Sequence, residues 1–229
     1  TLRVRGTLTF SGGRTLPLDT EIAQGGARGV AFAILPYVNA MMQNNFDALT
    51  LEGADLSVAV DADIHELMVQ SATLDRATAH PGETVTAAVT LSQYQRPEVT
   101  HEISLQLPSD LTEGEYDVMI TDVGGYIARL MMSSPDLARV SDIDGLHRTI
   151  TALATADGNT LYAAIGRQKP GVAVNDQPLP ALPGSRTAVL ASTSNTRVVP
   201  YPRFVESSVA LDQPVYGVLT LPLVVQARP

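Results

Sequence analysis

The densest cluster of side chains able to do chemistry is Asp61-Ala62-Asp63-Ile64-His65-Glu66. Alternate residues of an extended strand share a face, so Asp61, Asp63 and His65 would project together. Two carboxylates and an imidazole lie there within reach of a hard cation or Zn²⁺. A solvated turn is the simpler reading of the same residues. Asp142-Ile143-Asp144-Gly145 opens like part of a calcium loop. A full loop also needs ligands at its first, third and fifth positions and a Glu at the twelfth, which this segment lacks. Helix capping explains it better.

The four histidines, His65, His80, His101 and His147, have no HExxH or paired spacing. His101 has the inward parity of its strand and is expected to be a satisfied core histidine. There is no G-x-S-x-G elbow, phosphate loop or dinucleotide fingerprint, and no motif calls for a cofactor. Ser133-Ser134, Ser185 and Ser207-Ser208 have no base in a fixed relation. The absence of cysteine removes disulfides, thiolate metal sites and a cysteine nucleophile together. A triad can converge from distant positions, so a hydrolase built on Asp61, His65 or similar residues stays as the alternative.

The bulk composition is that of an ordinary globular chain, 45% hydrophobic and 17% charged, with a net charge of −9. An acidic chain with no Lys/Arg cluster repels phosphate backbones, which argues against nucleic acid as a partner. No run approaches the roughly 20 apolar residues that a membrane helix needs. Lys169 is the single lysine among fifteen basic residues. The chain starts at Thr1 with neither Met nor signal peptide, and is expected to be a fragment or a processed chain.

The elements that would position any site are organised around Leu67 to Asp122. Val85, Ala87, Val89 and Leu91 alternate with polar residues, as do Val99, Ile103, Leu105 and Leu107, then Tyr116, Val118 and Ile120. A period of two marks half-buried strands. His80-Pro81-Gly82-Glu83 and Pro108 to Gly114 supply turn chemistry between them. Upstream, Leu2 to Phe10 and Leu16 to Ile22 form a hairpin about Ser11-Gly12-Gly13-Arg14. Val30, Ile34, Val38 and Met41 share a helical face, with Pro36 kinking or starting that helix and Asn44-Asn45 stopping it. Strand parity then changes across Gly53-Ala54, as a β-bulge would produce, and the slip recurs between Val69 and Ala72.

After Asp122 a short helix is expected over 126–132. The clearest helix follows, with Ile143, Leu146, Ile150 and Leu153 on one face and Ser141 or Asp142 as its cap. Strands follow at Leu161 to Ile165 and Val172 to Val174, then a proline-rich crossing over 177–183 and a short helix from Ser185 to Leu190. Two closing strands run from about Phe204 to Leu211 and from Val215 to Val225. Pro222 marks the last as an edge strand or a bulged one.

Leu74-Asp75-Arg76 through Pro81-Gly82-Glu83-Thr84-Val85 resembles the first turn of bacterial immunoglobulin-like modules. Further pieces keep a familiar order: Asn45-Phe46, Leu91 before Tyr94, Leu107-Pro108 leading to Gly114-x-Tyr116, Asn159-x-Leu161-Tyr162, Leu179-Pro180-x-Leu182-Pro183 and Val215-x-Gly217. The series resembles the region C-terminal to the peptidase domain in large exported bacterial proteins of the SpoIVB-type serine peptidase family. That resemblance implies an accessory module in the periplasm, the cell envelope or the medium. It carries over no catalytic residue.

The fold expected is mainly β with some α (α+β). An immunoglobulin-like sandwich would comprise 67–122 plus about 204–226, with a hairpin-helix-strand subdomain at 1–66 and an α+β insertion at 123–203. The function expected is non-catalytic binding or scaffolding, with a protein partner that includes the upstream part of its own chain. A stand-alone cell-envelope hydrolase and a carbohydrate-binding domain are the alternatives. The absence of tryptophan weakens the latter.

Overall fold

The computed structural model describes residues 1–22, 26–60, 66–179 and 196–227, with Arg186, Ala188, Val189 and Ser192 between the last two segments. The fold is mainly β with a smaller helical part, an α+β fold containing a β-sandwich. The chain divides into two compact units, 1–66 with 139–158, and 67–138 with 159–229. This differs from the three-part boundaries read from sequence. The span 123–203 is shared between the units, and its strongest helix belongs with the N-terminal residues.

In the first unit, β1 (Leu2–Phe10) and β2 (Arg14–Ile22) form the expected hairpin, and β3 (Leu51–Val60) pairs antiparallel with the other edge of β1. The register slips between Thr9 and Phe10, which face Gly53 and Leu51, so Glu52 is the extra residue and the parity change is a β-bulge. Gly6 lies in β1 at φ +156°, and a Cβ there would stand 1.9 Å from the carbonyl oxygen of Asp55. Only glycine lets β3 come this close at that point. Helix α1 (Gly26–Met42) continues through Pro36 and buries Ile34 and Met41. These pack with Val4, Leu8, Phe10, Leu16 and Leu18 from the hairpin and with Ile150 and Ala154.

The second unit is the sandwich. One sheet has the order β12 (Val215–Tyr216), β4 (Leu67–Leu74), β6 (Thr84–Gln93), β7 (Arg96–Gln106). The other runs β9 (Thr160–Val174), β8 (Gly114–Thr121), β13 (Val218–Val225), β5 (Thr78–Ala79). β11 (Val198–Ala210) lies along one edge of β9, and β10 (Gln177–Leu179) pairs with its far end. Val85, Ala87, Val89, Leu91, Ile103 and Leu105 from the first sheet meet Val118, Ile120, Leu161, Ile165, Leu223 and Val225 from the second in one core. The strict period of two is the cause: each strand turns one row inward. The slip expected after Val69 is present, between Val69 and Ser71.

Two details are of kinds also found in immunoglobulin-like sandwiches. The first strand changes sheets, since β4 pairs with β6 while β5 joins the last strand, β13, in parallel. At the corner between β7 and β8, the buried Tyr116 donates its hydroxyl to the carbonyl of Thr112 at 2.7 Å. That is the tyrosine corner of such sandwiches, a phenol near the start of a strand bonded to backbone a few residues upstream. The connections differ, because β9 and β11, which follow β8 and precede β13 in the chain, extend the second sheet on the side of β8 away from β13. Pro222 is tolerated in β13 because β5 reaches only Val224 and Val225, so beside Pro222 the strand is paired on the β8 side alone.

Candidate functional site

Three places concentrate open strand backbone or charged side chains. The first is β3. Its residues Ala54, Leu56, Val58 and Val60 stand opposite Leu8, Gly6, Val4 and Leu2 and therefore share the core face of the sheet. Helix α1 lies against β1 and β2, and the helix α4 (Ile143–Ala154) lies against β2. The core-facing row of β3 is left bare, with Leu56 36%, Val58 45% and Val60 76% exposed. Among the described residues β3 has one strand neighbour, β1, so the amides and carbonyls of its outer edge are unpaired. Phe32 and Leu35 on α1 are also exposed.

The second place is a notch at one end of the sandwich, a cleft of about 40 Å³ lined by Asp110, Leu111, Thr112, Arg167, Gln168, Lys169 and Arg203. It forms where the β9–β11 ribbon breaks register. Tyr201 faces Gly171, but two residues later Arg203 faces Arg167, so β9 holds two extra residues at this point. Pro170 and Pro202 stand within the break, and neither has an N–H to give a ladder. The break places two guanidinium groups directly opposite each other. Arg167 meets Asp110, with Nη1 3.2 Å from both carboxylate oxygens. Gln168 accepts a hydrogen bond from the Thr112 hydroxyl, which ties β9 to the tyrosine corner. Half-buried Arg203 and exposed Lys169 have no hydrogen-bond or ion-pair partner among the described residues.

The third is an ion pair beneath helix α2 (Val123–Ser133). Arg129 is buried, with Nε donating to Glu206 at 2.8 Å and Nη1 to the Thr121 hydroxyl at 2.9 Å. Its Nη2 has no partner among the described residues. Tyr126 stacks on Tyr162 beside it, ring centroids 4.5 Å apart. Gly125 permits the close approach, since a Cβ there would lie 2.6 Å from Thr121 Cβ. Asp122 caps the helix through the N–H of Gly125 and also accepts the N–H of Gly217. A buried charge held by a carboxylate and a hydroxyl fixes a helix on a sheet, and that is the task of this group.

No family model, no curated protein and no solved structure matches the chain.

The residues singled out from the sequence fare differently. Asp61, Asp63 and His65 lie outside the described residues, as does most of the short helix read from Ser185. Among the described residues no three His, Asp or Glu side chains group as metal ligands would. Asp142 caps α4 by accepting the N–H of Gly145 at 2.6 Å, as the capping reading required. That bond, with burial opposing it and Ser141 assisting, holds its carboxyl below the ordinary range. Asp144 pairs with Arg14. His147 Nε2 lies 2.7 Å from the carbonyl oxygen of Thr15, and His80 Nδ1 lies 3.0 Å from that of Gln226, so both serve as fasteners between chain segments. His101 has the inward parity expected but is only half-buried, opposite Val89, so it is not the core histidine read from the sequence. The notch was not read from the sequence. Its one signal was the single lysine, lying between Arg167-Gln168 and Pro170.

Proposed function

We propose that this chain is a non-catalytic binding module that docks a protein partner on the free edge of β3. The observation that carries the reading is the bare strand: ten residues, an outer edge unpaired among the described residues and an exposed apolar row on one face. An added strand would satisfy the open backbone groups, and its alternate side chains would cover Leu56, Val58 and Val60. The occupant that fits is an extended segment, apolar at every second position. Glu52 and Asp55 on β3, and the chain's charge of −9, favour a neutral or basic segment over an acidic one.

The resemblance to exported peptidase proteins makes the peptidase-bearing part of a parent chain the first partner to try, with the module acting as its scaffold outside the cytoplasm. The test is binding between this chain and that peptidase part, with hydrogen exchange followed on residues 51–60. Slowed exchange on β3, together with lost binding in Val58→Lys and Val60→Lys, supports the proposal. Binding that leaves β3 exchange unchanged, or that survives both substitutions, overturns it. Protected β3 amides in the isolated chain, with a dimeric mass by light scattering, would assign the edge to a second copy instead.

A further inference from the structure

We infer that the notch between β9, β11 and the 110–112 turn is a carboxylate-binding site, independent of the β3 edge. Like charges directly opposite on paired strands destabilise a sheet. Arg167 and Arg203 are such a pair. Asp110 answers only one of them, through a single nitrogen placed between its two oxygens, so the two parallel bonds of a bidentate contact are not made. Lys169 adds a third cation, which leaves the lining with three positive groups against one negative in a chain whose net charge is −9. The concentration of positive charge is therefore local, and it sits at a break that two prolines build into the ribbon.

The chemistry of the lining selects an oxyanion. Among the described residues no acceptor takes the guanidinium donors of Arg203, the further N–H groups of Arg167 or the three of Lys169. The cleft is small, about 40 Å³, and its Arg167 already pairs with a carboxylate, that of Asp110, so a second carboxylate is the oxyanion that suits Arg203 beside it. Buried Leu111 also lines the cleft and offers an apolar contact to the carbon that bears the carboxylate. The carboxylate could be borne by a free organic acid or by an acidic side chain of a protein, and the chemistry in the notch is the same.

The experiment is a titration of isotope-labelled protein with sodium acetate, against sodium chloride at matched ionic strength, followed by NMR. Saturable shifts confined to the amides of 110–112, 167–169 and 203 are expected. Arg203→Gln should weaken binding about tenfold, because one charge-assisted partner is lost. It should not unfold the sandwich, since the Arg203 side chain has no hydrogen-bond or ion-pair partner among the described residues. Lys169→Gln, at an exposed position, is the second variant and should weaken binding by a smaller factor. A tri-glutamate peptide that binds more tightly than acetate would identify a protein side chain as the source, whereas equal affinity per carboxylate would identify a free acid. Linear shifts, an equal response to chloride, tighter binding of inorganic phosphate than of acetate, or an unchanged response in Arg203→Gln would overturn the assignment.

Discussion

β3 and β7 are strands of ten and eleven residues, each hydrogen-bonded to a neighbour on one side. β7 carries Arg96, Pro97, Glu98 and Glu102, and its inward residues Ile103 and Leu105 are buried under the opposite sheet. Charge and proline on an edge discourage a further strand from adding to it. β11, at the edge of the other sheet, is treated alike, with Pro200, Pro202, Arg203 and Glu206. β3 has two acidic residues, no proline, and an apolar row with nothing over it. The sandwich thus closes its edges by composition, while the three-stranded sheet leaves one open. A strand kept open in a chain that elsewhere guards its edges is the reason for reading β3 as a docking surface.

The comparison breaks most sharply at Gly6. Alanine there would need a φ that L-residues avoid and would place Cβ 1.9 Å from the Asp55 carbonyl. The loss expected is about 3 kcal/mol or more. It should fall on the β1–β3 pairing, so hydrogen exchange should quicken across 51–60 while β6 and β8 stay protected. Equal loosening of β6 would show that the two sheets do not hold their stabilities separately.

On the sandwich side the matching probe is Tyr116→Phe. It removes only the hydroxyl that bonds the Thr112 carbonyl, at a buried position. About 1 kcal/mol of stability should be lost, measured by denaturant unfolding at unchanged slope. The corner also sets the 110–112 turn, so the same variant should broaden the amide signals around the notch. An unaltered midpoint would reduce the corner to a packing feature.

How much of this was legible in the sequence follows from which forces are local. The alternation at 85–91 and 116–120, the hairpin at Ser11–Arg14, the bulges near Gly53 and Val69 and the Asp142 cap all arise from neighbours along the chain, and each was readable. Helix α4 was readable as a helix, but its apolar face does not say what it packs against; it goes to the N-terminal hairpin. The hairpin turn at Tyr94-Gln95 has no Gly, Pro or Asn, and Gln95 takes φ +54° under tertiary constraint, so no signal marked it. β9 read as two short strands because the break at Lys169-Pro170 interrupts its period, and β11 read as starting at Phe204 because Pro200 and Pro202 argued against strand. The same prolines that hid these strands build the notch. The bare row of β3 was visible only as apolar residues, since exposure depends on where the helices stop.

The smallest effect concerns Asp75, at the point where the chain leaves one sheet of the sandwich for the other. Its carboxylate accepts the N–H of Thr86 at 3.0 Å and the Nε–H of Arg76 at 3.0 Å. The Thr86 bond, against slight desolvation and with help from Arg76, holds its carboxyl below the ordinary range. A folded-state value below the unfolded one stabilises the fold at pH above the unfolded value of about 3.9, and that stabilisation is lost as pH falls through the lower, folded value. Asp75→Asn keeps an acceptor for Thr86 but carries no charge at any pH. The native chain should exceed the variant by no more than about 0.5 kcal/mol between pH 5 and 7, because the site is solvent-screened. The gap should narrow below pH 4 and vanish near pH 2, measured as paired melting temperatures. A gap that persists to pH 2 would assign the effect to the geometry of the turn, leaving charge with no part in joining the two sheets.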